Sequence, residues 1–90
     1  MMRVTRTPDA THYDGEGEHA HLHATVSRLT VSRFDRDKSG FLLQCMEDYP
    51  DGRAMEYTYG NIAPLGKRMA ESAAERWVNG RKIPIKLEWR

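Results

Sequence analysis

Three histidines at alternate positions, His19, His21 and His23, come nearest to a metal chemistry in this 90-residue chain. In an extended chain, side chains two apart share a face, so such imidazoles reach one Zn2+ when another ligand closes the site. His12, Glu16 and Glu18 are the donors close by in sequence. No C-x-x-C or H-E-x-x-H frame accompanies them, and the competing readings are a solvated, histidine-rich strand end or a pH-sensitive surface. No cofactor is expected; zinc is the one that this histidine spacing would allow.

Asp35-x-Asp37-x-Ser39-Gly40 opens like a calcium loop, but position twelve, where a bidentate Glu belongs, is Met46, with Glu47 one residue late. Strand periodicity flanks it on both sides, so residues 35–40 read as a tight turn. Cys45 lies mid-strand, where burial makes a thiol inert. No Ser/His/Asp or paired-carboxylate spacing favours catalysis, and a non-enzymatic protein is expected.

Lys67 and Arg68 open an amphipathic segment, at the end where the helix dipole disfavours cations. Bound phosphate would offset that cost. Pairing with Glu71 at i+4 and i+3 is the structural alternative.

The segment itself is the clearest element in the chain. Leu65, Met69, Ala73 and Trp77 recur every four positions, with Ala70, Ala74 and Val78 beside them, which makes one apolar stripe on a helix over about 63–79. Pro64 suits a first turn and Asn79-Gly80 a stop. Ile83, Ile85, Leu87 and Trp89 then alternate with polar residues or Pro84, as a half-buried edge strand does.

Upstream, residues 1–18 carry little periodicity and read as an extended N-terminal arm, with a short strand near Arg3 to Arg6; residues 19–90 form the single domain. Ala20 to Phe34 is a long strand. Its near-repeat Thr25-Val-Ser-Arg-Leu29, Thr30-Val-Ser-Arg-Phe34 has period five, which flips the apolar face. Either a bulge near Ser27-Arg28 restores the face, or both faces are partly buried. A strand over Phe41 to Tyr49, the turn Tyr49-Pro-Asp-Gly52 and a strand over Arg53 to Tyr59 follow. The expected fold is therefore α+β: a mainly antiparallel sheet in the order β-β-β-α-β, with one helix on one face. The expected core is Leu22, Val26, Val31, Phe41, Leu43, Leu65, Met69, Ala73 and Trp77, joined by Ile83, Ile85, Leu87 and Trp89.

Ninety residues support one modest core. The formal net charge is +1, yet residues 41–61 carry −3 and residues 62–90 carry +4. A single cysteine allows no internal disulfide, and no apolar run is long enough for a signal peptide or a membrane span, so the expected location is cytoplasmic.

Two resemblances bear on function. Gly66-Lys-Arg-Met-Ala-Glu-Ser-Ala-Ala-Glu-Arg-Trp77 after a three-stranded meander resembles the last helix of double-stranded-RNA-binding domains, and residues 25–78 follow that order of elements. The resemblance implies that Lys67 and Arg68 grip phosphates. The family's first helix and its proline-histidine hairpin are missing, and an extra strand follows the helix. In size and architecture, though in no single motif, the chain is also similar to phage-encoded anti-CRISPR inhibitors. These block nucleic-acid sites by protein contact, without catalytic residues.

One helix covers one face of a sheet whose strands offer apolar residues on both. The leftover face is expected to meet a protein partner or a second copy of the chain. Arg28, Arg33, Lys67 and Arg68 are the expected basic contacts, with Tyr57 and Tyr59 as aromatic anchors. The leading expectation is an inhibitor or adaptor of nucleic-acid-handling machinery. Direct binding of a nucleic-acid duplex at the helix start and a histidine-ligated metal site are the alternatives.

Overall fold

A computed structural model describes residues 2–80 of the chain; for Arg33 it describes the backbone alone. Five strands precede the helix: β1 (Met2–Arg6), β2 (Ala10–Gly15), β3 (Leu22–Arg33), β4 (Arg36–Asp48) and β5 (Ala54–Tyr59), then α1 (Lys67–Val78). They form one antiparallel sheet in the order β1-β2-β3-β4-β5, with every neighbour joined in chain order. The architecture is α+β with one helix on one face, as expected. The order differs, because two strands stand ahead of the meander. The expected strand over residues 83–89, and with it Ile83, Ile85, Leu87 and Trp89, lies outside the described residues.

Residues 1–18 are not an arm. Thr7-Pro8-Asp9 is the turn of a β1–β2 hairpin: the Thr7 N–H and Oγ1–H both donate to the Ala10 carbonyl, at 2.8 and 3.1 Å. Tyr13, on β2, is 2% exposed and belongs to the core. One buried aromatic among threonines, histidines and acids leaves almost no apolar period to read.

The β3–β4 pair keeps one unbroken register from Leu22↔Glu47 to Arg33↔Arg36. No bulge restores the apolar face, so Leu22, Ala24 and Val26 point under the helix while Leu29 and Val31 point to the other side. The turn is the two residues Phe34 and Asp35, with φ of 51° and 60°, the left-handed pair that a two-residue hairpin requires. Residues 35–40 are therefore not the turn: Arg36 to Gly40 belong to β4. The result is a long ribbon whose far half projects past the helix.

The core lies between α1 and the face of the sheet that carries Tyr13, Leu22, Ala24, Val26, Leu43 and Cys45. Ala70, Ala73 and Ala74 are fully buried, and their short side chains let the helix lie close to β3 and β4. Phe41 and Met69 pack at its margin, whereas Val31 sits on the opposite face, outside the core. The helix begins at Lys67 rather than near 63 because Leu65 is held as a strand: its N–H and carbonyl exchange 2.9 Å bonds with Phe41. Gly60 makes that approach possible. Its φ is 90°, and a Cβ there would stand 2.6 Å from the Phe41 carbonyl oxygen.

Candidate binding surface

The uncovered face of the sheet is polar across its middle. Thr5, His12, Thr25, Gln44 and Thr58 stand in one row across all five strands. His12 Nδ1 lies 3.2 Å from Thr25 Oγ1. The excess apolar surface expected on this face is thus not spread over it. Met46 stands on it toward one end of β4, 38% exposed, and a larger apolar group stands at the far end of the β3–β4 ribbon.

There Phe34 is 89% exposed and Ile62 is 54% exposed. Val31, Phe34, Arg36, Lys38, Ile62 and Ala63 line a groove of about 650 Å3. Among the described residues its walls come from the ribbon and from the segment after β5 that Leu65 pins beside Phe41. The alternation of the ribbon separates charge. Val31 pairs with Lys38 on the groove side, while Ser32 pairs with Asp37 on the other, its hydroxyl donating to the carboxylate at 2.6 Å.

A second, smaller cleft of about 130 Å3 lies at the start of α1, where Arg6, Arg28, Phe41, Lys67, Asp9 and Glu71 are among the lining residues. Arg28 lies over the Phe41 ring, 5.5 Å from its centroid. Sequence spacing placed no relation between Arg28 and Lys67; the fold brings them to one cleft and adds Arg6. Arg68 is exposed on the same first turn, which contains no acidic residue and no side-chain cap at Gly66. Among the described residues, no ion pair joins Lys67 or Arg68 to Glu71. The side chain of Arg33 lies outside what the structure describes.

Tyr57 and Tyr59 do not stand out as anchors. Both lie on the helix-facing side of β5, half-buried against the core, and Tyr57 meets Trp77 edge-on with ring centroids 5.5 Å apart. The Trp77 Nε1–H donates to the Met46 carbonyl at 3.1 Å.

The three histidines diverge. His23 lies between two acids, Nδ1 at 2.7 Å from Asp14 and Nε2 at 3.1 Å from Asp48, and clamps β2, β3 and β4 together. Both nitrogens donate only in the protonated ring. His21 lies 3.9 Å from the buried Glu47, and His19 ends a short 3-10 turn. Among the described residues, no group of three or more His, Cys, Asp or Glu side chains is placed to hold a metal ion. Cys45 is fully buried, and burial pushes its thiol up to about 12. No helix among the described residues is long and apolar enough to cross a membrane.

Compared with known proteins, the chain matches no family model, no curated protein and no solved structure.

The groove was missed in sequence because its parts are ordinary apart. The signal was present in one place: an aromatic residue beside Asp-Arg-Asp, where a hairpin tip favours Asn or Gly.

Proposed function

We propose that this chain is a non-enzymatic binding domain that engages a protein partner with the far end of the β3–β4 ribbon. It would act as a small inhibitor or adaptor of nucleic-acid-handling machinery. One observation carries the reading. Phe34 is a bulky aromatic at a left-handed φ of 51°, and it is 89% exposed. A left-handed conformation costs a side chain with a Cβ about 1–2 kcal/mol. An exposed aromatic ring carried on a paired two-strand support is suited to anchoring a partner. Incorporation of a photo-cross-linking phenylalanine analogue at position 34 tests it in the native host. A single protein adduct at 34, and none at Thr58 in the polar row, is expected; adducts at both or neither contradict it.

A second reading, duplex nucleic-acid binding at the helix start, is favoured by the convergence of Arg6, Arg28 and Lys67 on one cleft. Affinity that falls steeply with salt and is weakened by Lys67→Glu supports it. Absence of binding to any duplex at low salt removes it.

A further inference from the structure

We infer that the groove at the ribbon tip takes a short acidic segment of a partner protein that carries a large apolar side chain; this rests on the reading that the tip docks a protein. The lining supplies the first half of the argument. Val31, Ile62 and Ala63 are aliphatic or small, Phe34 adds a ring, and about 650 Å3 accommodates a large side chain with its neighbours. A groove of this kind rewards an apolar anchor more than a hydrogen-bonding one.

Charge supplies the second half. Among the described residues, the charged side chains that line the groove are Arg36 and Lys38. The alternation of β4 sends Asp37 to the opposite side, where Ser32 holds it at 2.6 Å, and Asp35 in the turn is not among the lining residues. A groove lined by apolar and cationic side chains together is complementary to an apolar residue between carboxylates. Single-stranded nucleic acid also seeks cations and rings, but it needs successive aromatic platforms on which bases stack. Among the described lining residues there is one ring, Phe34, beside aliphatic side chains, which favours the peptide.

The test is an amide-shift titration of the full isotope-labelled chain with four probes. One is a peptide of about ten residues with leucine and tryptophan between glutamates. The second replaces the glutamates by lysines, the third replaces the apolar pair by serines, and the fourth is oligothymidylate. The glutamate peptide is expected to move the amides of Val31, Arg36, Lys38 and Ile62, with a dissociation constant of about 100 µM. The lysine and serine peptides should bind about tenfold more weakly, and Lys38→Glu should bring the glutamate peptide down to the same level. Equal or tighter binding of the lysine or serine peptide overturns the inference, as does stronger perturbation by oligothymidylate. Silence from every probe overturns it too. In each of those cases a surviving cross-link at position 34 leaves the docking reading standing, and its loss removes both.

Discussion

Ser32 and Asp37 face one another across the β3–β4 ribbon, the Ser32 hydroxyl donating to the Asp37 carboxylate at 2.6 Å. Strand alternation puts the pair on the side away from Val31 and Lys38. The pair is exposed, so Ser32→Ala should change stability by less than about 0.5 kcal/mol and leave partner affinity unchanged. Lys38→Glu, one position along but on the groove side, should leave the fold intact and weaken the partner about tenfold. Side-by-side calorimetric titration of the two variants checks both; equal effects would contradict the separation of faces.

Trp77 and Tyr57 define the opposite, structural use of aromatics. Trp77 is 3% exposed, stacked edge-on with Tyr57 and bonded to the Met46 carbonyl. Trp77→Ala should cost about 3–5 kcal/mol, a large share of what a domain of this size holds. Trp77→Phe keeps much of the packing but leaves the Met46 carbonyl without that donor, at about 1–3 kcal/mol. Urea unfolding read by circular dichroism ranks them. Loss of partner binding in Tyr57→Phe without loss of stability would restore Tyr57 as a contact.

Cys45 and Tyr13 set the alkaline limit. Burial raises the Cys45 thiol from 9.0 to about 12. Burial also raises Tyr13 above 10.0, with Glu71 and Glu75 adding to it and Arg6 opposing. Both groups fold in the neutral form. For Cys45 the stabilisation is whole below about pH 9, the unfolded thiol value, and drains away as pH climbs toward 12. Cys45→Ala should be less stable near neutrality yet show a flatter alkaline arm. In the native chain a thiol reagent at pH 8 should react only on unfolding; rapid native labelling would contradict the buried placement.

The helix stripe and the strand alternation of this fold were legible because each repeats a period that only one structure satisfies. Leu22, Val26, Leu43, Leu65, Ala73 and Trp77 fall in the core on that ground alone. The β1–β2 hairpin was not legible, since Tyr13 is its one buried aromatic and β1, at the sheet edge, is mostly exposed. The turn was misplaced for a different reason. Asp35 to Gly40 has the composition of a loop, but pairing of Arg36 to Gly40 with Leu29 to Arg33 outweighs composition and puts the reversal on Phe34 and Asp35. The candidate surface followed that error: a groove built by register cannot be seen until the register is known.

Gly66 caps α1 with no side-chain bond, in extended geometry at φ −68°, and a Cβ there would meet nothing within 4 Å. Gly66→Asp should therefore raise stability by about 0.5 kcal/mol, bonding the free N–H groups and opposing the Lys67 and Arg68 charges. The same carboxylate would repel a phosphate. Duplex binding should fall severalfold if the helix start holds nucleic acid. Thermal melting and a low-salt mobility shift on one preparation read both effects.

The most direct test is the partner affinity of the double variant Phe34→Asn, Asp35→Gly. That pair suits the left-handed turn and should make the chain about 1 kcal/mol more stable. Binding to the partner cross-linked at position 34 should fall about thirtyfold or more, as loss of an aromatic hot spot demands. A more stable chain that keeps its full affinity would show that Phe34 only turns the chain, and would contradict docking through the ribbon tip.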